Sequence, residues 1–213
     1  IYFSTMQIYG DYSSLKLISE KQNKNNKNIY ALTHSLCEDV LSNLSYNINF
    51  KPISLRLSNG YGYPELNTCD CWWLVANDFC RNASKKSIIN LNSDGSPLRD
   101  FIHISDIARI VEKIIKTKKK LPKVMNLASG TTMSMLEIAD LVQKTAYKLN
   151  IKSDIYIKGK KISKNKLLKR LEKVKSIKKF RISTSYMKTL KLDPKIDIVT
   201  GINNTLLKLN NKK

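Results

Sequence analysis

Ile1-Tyr2-Phe3-Ser4-Thr5-Met6-Gln7-Ile8-Tyr9-Gly10, answered downstream by Tyr30-Ala31-Leu32-Thr33-His34, is the stretch on which the fold of this chain turns. The apolar run over residues 1–4 predicts a buried strand that delivers the Thr5 hydroxyl to its C-terminal end. Residues 11–28 are polar and rich in Asn and Lys, which predicts a loop. Apolar residues then recur at 32, 36, 37, 40, 41 and 44, a helical period over Ile29–Asn47. Tyr30 falls in the first turn of that helix, where its hydroxyl can reach back toward Thr5, and residues 52–57 predict the next strand. Open α/β sheets bind ligands at the C-terminal edge of such strands.

Working outward, residues 71–83 form a second helical run that contains Trp72, Trp73 and Phe79. Short strands are expected at 88–91 and 100–104, around an Asp94-Gly95 turn. Helices are expected at 105–115 and 134–149, each opening on a serine cap, and a last one near 196–209 comes after the Asp193-Pro194 break. Strands alternating with helices place the chain in the α/β class. It contains no internal repeats.

Four segments also carry a family likeness, in register. Ser4–Gly10 with Tyr30–His34 is the first, and Arg56-Leu57-Ser58-Asn59-Gly60-Tyr61-Gly62 is the second. Asp94-Gly95-Ser96-Pro97-Leu98-Arg99-Asp100-Phe101-Ile102-His103-Ile104-Ser105-Asp106 is the third, and Asn126-Leu127-Ala128-Ser129-Gly130 the fourth. Together they resemble the extended short-chain dehydrogenase/reductases, specifically the NAD-dependent nucleotide-sugar epimerases and dehydratases. The likeness is thin between residues 151 and 180. It implies a partial Rossmann-like, doubly wound parallel sheet with a smaller mixed α/β substrate-binding portion. On this reading residues 1–62 are the C-terminal part of the NAD-binding domain, and 63–213 are mainly substrate-binding, with 100–130 returning to the Rossmann sheet.

The same resemblance assigns roles. Thr5 and Tyr30 match the hydroxyl and the phenol that act on a sugar hydroxyl, with Tyr30 as base. His34 stands where the family has a lysine that binds the nicotinamide ribose, so Tyr30 and His34 are the expected cofactor contacts. A phenol with a pKa of about 10 needs a nearby cation to act as a base, and a neutral imidazole gives less help than lysine. Met6 and Gln7 stand where the 4,6-dehydratases carry Asp and Glu; neither works as acid or base, which disfavours dehydration. Asn59 and Arg99 match substrate-side positions, Arg99 as a planar fork for a pyrophosphate. The competing structural role of Arg99 is a salt bridge to Asp100 or Asp106. Family members also pair the helix of residues 29–47 across a homodimer.

The family's G-x-x-G-x-x-G turn, which binds the NAD (or NADP) pyrophosphate through backbone N–H groups, has no counterpart among the seven glycines. The expectation drawn is a fragment lacking roughly 100 residues, three or four βα units of about 30 residues each. Such a piece is expected to be inactive alone.

A formal charge of +21 raises a nucleic-acid partner as a remote alternative. Only six of the cationic residues are Arg, the side chain that nucleic-acid readers favour, so compositional drift explains the lysines better. Cys69-Asp70-Cys71 lacks the partner ligands of a zinc site, and no metal is expected. Cys37 reads as a small core hydrophobe. No apolar span of about 20 residues occurs, so no membrane is expected, and a reducing, cytoplasmic setting fits best. A nucleotide-sugar epimerase leads; a reductase or dehydratase of the same family, or a catalytically impaired sugar-nucleotide-binding protein, stands beside it.

Overall fold

The computed structural model describes residues 1–11, 15–47, 50–66 and 68–211. The opening apolar run forms strand β1 (Tyr2–Thr5), which passes through a 3-10 turn (Met6–Tyr9) to a short strand β2 (Leu17–Ile18) and helix α1 (Ile29–Asn47). Next come β3 (Ser54–Leu57), β4 (Asn59–Tyr61), α2 (Val75–Lys86), β5 (Ile88–Leu91), β6 (Leu98–His103), α3 (Ile104–Lys116) and β7 (Val124–Leu127). The remainder is β8 (Thr132–Ser134), α4 (Met135–Lys148), β9 (Asp154–Ile157), β10 (Lys160–Lys161), α5 (Lys164–Lys175), β11 (Arg181–Ile182), α6 (Ser185–Leu190) and α7 (Ile198–Asn210).

β1, β3 and β7 form a parallel sheet in that order, with Thr5 level with Leu57 and Leu57 level with Leu127. The three strands thus end together. The Met6–Tyr9 turn, Ser58–Asn59 and Ala128–Ser129 leave the ends of β1, β3 and β7 respectively and gather at one edge of the sheet, where open α/β sheets bind ligands. Ile53, Leu55, Met125 and Leu127 are buried in one core with Ile107, Ile110 and Ile114 of α3, at an i, i+3, i+7 spacing that puts all three on one face of that helix.

A second set of sheets carries the other half. β6 pairs in parallel with β4 and antiparallel with β8, and β9 pairs in parallel with β5 and antiparallel with β10. Helices α2, α4 and α7 pack on one another around a core that includes Phe79, Ile89, Leu136, Ile138, Val142, Ile155, Ile202 and Leu206. β2 and β11 form a small parallel pair, and Ile18, Phe180 and Ile182 share a third core with Met6 and Tyr9 of the turn after β1.

The α/β alternation read from the sequence is the architecture observed. Helix α1 has the expected limits, and strand β5 likewise. Ser134 caps α4 with a full capping box, its side chain accepting from the Glu137 amide while Glu137 accepts from the Ser134 amide. Four expectations need correction. Helix α3 is capped by the His103 ring, which accepts from the Ser105 amide, so the helix begins before Ser105. The second helix starts at Val75 instead of residue 71. The loop expected over 11–28 contains strand β2; residues 12–14 lie outside the described residues. Cys37 is exposed on α1 rather than buried.

α1 faces the protein in an unexpected way. Its buried side chains are Ala31, Ser35 and Glu38, while Leu32, Leu36, Val40 and Leu44 of the apolar stripe point outward. Short and polar side chains seat the helix close to β1, and the apolar periodicity marks its outer face.

Candidate active site

Thr5 closes β1 and is nearly inaccessible, at 6% exposed. Its Oγ1 accepts a hydrogen bond from the Gln7 amide at 3.2 Å, which caps the 3-10 turn and leaves the hydroxyl proton as a donor. The turn itself is pinned from several sides. The Asn25 amide donates to the Ile8 carbonyl at 2.7 Å, and the Tyr9 hydroxyl donates to Asn126 Oδ1 at 2.7 Å. Asn126 is itself held twice, its backbone N–H donating to Glu20 Oε1 and its Nδ2 to the Ser183 carbonyl. Burial pushes the Tyr9 phenol up to about 12 in spite of the Arg56 guanidinium stacked 4.7 Å from its ring centre. Gly10 ends the turn at φ 70, and a Cβ there would run into the Asn25 carbonyl oxygen.

Beneath the turn, Arg56 of β3 and Glu38 of α1 form a buried fork-to-fork pair. Lys24 reaches the same carboxylate at 3.4 Å. Burial alone would raise the Glu38 carboxyl, but the hydrogen bonds from Arg56 and the charges of Arg56 and Lys24 hold it below its ordinary value. This pair sets the rotation of α1 against the sheet.

That rotation places Tyr30. The Asn28 side chain caps α1 by accepting from the Ala31 amide at 2.8 Å, and its Nδ2 donates to Gln7 Oε1 at 3.1 Å. The first turn of α1 is therefore tied to the residues just after Thr5. Tyr30 is 51% exposed, so its hydroxyl is open to a ligand. Its ring meets the His34 ring edge-on, with centres 4.6 Å apart. On its other side, His34 Nδ1 lies 2.7 Å from the Tyr2 hydroxyl. The structure thus brings Tyr30 and His34 together beside β1. Thr5 joins them through the Gln7–Asn28 link, with no hydrogen bond between Thr5 and Tyr30 among the described residues.

Asn59 and Arg99 sit on neighbouring strands, β4 and β6, where Asn59 is level with Phe101. The Asn59 Nδ2 donates to the Asp100 carbonyl at 2.9 Å. Arg99 is exposed, donates from Nη1 to the Leu98 carbonyl and has no carboxylate partner among the described residues; Asp106 pairs instead with Arg109. Asp100 is buried and accepts both the Ser129 amide (2.9 Å) and the Ser129 hydroxyl (2.8 Å), locking the end of β7 to β6. Burial raises its carboxyl although these hydrogen bonds pull it down. Trp72 packs edge-on against Tyr63 and under Arg81, whereas Trp73 is exposed.

Sequence reasoning missed Tyr2, Tyr9, Glu38 and Asp100. Only Tyr9 and Asp100 lay inside the segments that carry the family likeness; Tyr2 and Glu38 acquire their roles from the register of β1 and the rotation of α1. Among the described residues no cluster of His, Cys, Asp or Glu could hold a metal ion, and no helix is long and apolar enough to cross a membrane.

Comparison with known proteins gives a consistent picture. Residues 1–128 match the NAD dependent epimerase/dehydratase family. A dTDP-L-rhamnose 4-epimerase from Burkholderia thailandensis is 30% identical over 114 residues, which is 54% of this chain and 31% of that protein. A UDP-glucose 4-epimerase from Thermotoga maritima, solved with UDP-glucose, superposes with a TM-score of 0.78 at 16% identity, over 99% of this chain and 62% of its own. An NAD-dependent NDP-hexosamine 5,6-dehydratase of tunicamycin biosynthesis gives 0.72 at 21% identity, over 99% and 62%. The chain thus spans less than two thirds of the length of each of these relatives.

Proposed function

The chain belongs to the NAD-dependent epimerase/dehydratase family, and on that premise we propose that it is the C-terminal, catalytic and sugar-facing part of a nucleotide-sugar epimerase. The observation that carries the proposal is the Tyr30–His34 pair beside β1, with Thr5 at the strand end and Met6 and Gln7 next to it. Met6 is buried and Gln7 is bonded to Asn28, so the turn offers no acid or base for removing water from a sugar. That favours epimerisation over dehydration.

The donor set suits one end of NAD (or NADP). An exposed phenol and a ring nitrogen side by side fit the ribose and nicotinamide, whereas nothing in the spacing of the seven glycines suits a pyrophosphate. Bound cofactor would supply the hydride acceptor and a positive charge near the phenol. Tyr30 takes the proton from the sugar hydroxyl, and Thr5 orients that hydroxyl by hydrogen bonding. His34 donates to the ribose. Arg99, forked and without a carboxylate partner among the described residues, receives the substrate pyrophosphate; Asn59 acts by holding the β6 backbone beside it.

Residues 1–62 with the returning stretch 100–130 are assigned to the cofactor-binding half, supported by the common core of β3, β7 and α3. The rest of 63–213 is assigned mainly to the sugar nucleotide. The outward apolar stripe of α1 supports a homodimer. A second reading, a sugar-nucleotide-binding protein without turnover, is favoured by one observation: the imidazole in place of an ammonium at His34.

The test is an assay of this chain joined behind an NAD-binding βα segment of the family. Interconversion of two sugar epimers without net consumption of NAD is expected. Nucleotide-sugar binding with no turnover would replace the epimerase by the second reading.

A further inference from the structure

The His34 ring is held at one nitrogen. Its Nδ1 lies 2.7 Å from the Tyr2 hydroxyl, a bond between the first strand and the first turns of α1. Which atom carries the proton is set by the groups around it. Burial raises the Tyr2 phenol above its ordinary value, assisted by Cys37, Glu38 and Tyr30, so Tyr2 stays protonated at neutral pH. A phenol O–H is a stronger donor than a neutral imidazole N–H, and an imidazole nitrogen a stronger acceptor than a phenol oxygen, so the single Tyr2 proton goes to Nδ1.

We propose that Tyr2 is a positioning residue: its hydroxyl donates to His34 Nδ1 and fixes the ring as the Nε2–H tautomer, so that Nε2–H is the one donor the imidazole can offer a ligand. The proposal rests on the reading of His34 as a ligand-facing residue, and adds the partner that makes an imidazole serviceable there. Lysine carries three donors on a flexible stem and needs no such partner, whereas a neutral imidazole has one donor whose location is set by the hydrogen bond at the other nitrogen. The Tyr30 ring, packed edge-on against His34, restricts the remaining freedom of the imidazole to turn over. Strand β1 thereby contributes two groups from its two ends, the Thr5 hydroxyl directly and Tyr2 through His34.

The experiment is long-range proton–nitrogen NMR of the 213-residue chain at mildly alkaline pH. There are only two histidines, and the signals of His34 are those lost in His34→Gln. In the wild type, Nδ1 of His34 should resonate as an unprotonated nitrogen and Nε2 as a protonated one. In Tyr2→Phe the two nitrogens should move toward each other as both tautomers become populated. A wild-type His34 protonated on Nδ1 would overturn the proposal, and so would a Tyr2→Phe spectrum identical to the wild type. The wild-type tautomer decides even if Tyr2→Phe fails to fold. Neither arm uses cofactor or sugar, so an enzyme without turnover would remove the epimerase reading and leave this one standing.

Discussion

Glu38 and Arg56 meet through two hydrogen bonds, Nε to Oε1 at 3.0 Å and Nη2 to Oε2 at 2.7 Å, with both side chains 3% exposed. The pair joins the helix that carries Tyr30 to the strand beside Thr5, and it is deep enough that breaking it strands a charge. Glu38→Ala should cost about 3–5 kcal/mol, because the guanidinium is left buried without its partner. Urea unfolding measures this; a loss below about 1 kcal/mol, the range of a surface pair, would contradict it.

The same pair predicts a pH dependence. Glu38 is held below its ordinary value of 4.5 in the folded protein. A depressed carboxyl contributes stability that is complete above the unfolded value and is lost as pH falls through the folded one. Stability should therefore decline below about pH 4.5, and the decline should be shallower in Glu38→Gln. Denaturant midpoints of both proteins across the acid range give the comparison.

Tyr30→Phe, in the chain joined to an NAD-binding segment, should lower turnover by roughly 10²–10⁴-fold while sugar-nucleotide affinity stays nearly unchanged. Thr5→Ala should cost less, since that hydroxyl orients and does not transfer the proton. Unaltered turnover in Tyr30→Phe would mean that another group is the base.

Gly10→Ala should destabilise the protein by about 1–3 kcal/mol or more, since φ 70 is strained for alanine and the added Cβ meets the Asn25 carbonyl oxygen. Thermal unfolding checks the loss, and a variant as stable as wild type would show that the turn can relax.

For the proposed dimer, Leu36 and Val40 are 54% and 58% exposed at the centre of the outward stripe. Light scattering of the chain joined to an NAD-binding segment should give a dimer mass at micromolar concentration, and Leu36→Glu with Val40→Glu should give a monomer. A monomeric parent protein would remove the claim.

How much of this was legible in the sequence depends on the range of each signal. Helix α1, strand β5 and the Ser134 cap were legible because period and capping are local. The spacing of Thr5 and Tyr30 was legible only through the family likeness of the segments around them. The outward turn of the α1 stripe was not, since periodicity gives a helix a face without saying what covers it. Between 151 and 180 the hairpin β9–β10 and helix α5 escaped notice because lysines mask a sparse apolar pattern of Ile155, Ile157, Leu167, Leu171 and Val174. Tyr2 and Glu38 were invisible for another reason: each finds its partner across the sheet–helix interface, and no short window of sequence contains both members of either pair.

The bond from Tyr9 to Asn126 spans 117 positions of chain. At about 5–20 residues per second, a ribosome needs roughly 6–23 s to go from one to the other. Until then the turn after Thr5 lacks its anchor on β7 and β3 has no β7 on its far side, although the contacts among residues 1–57 can already form. Parallel pairing of distant strands is also slow to close. The exposed stripe of α1 is thus presented for a time on a polypeptide whose sheet is still open beside β3.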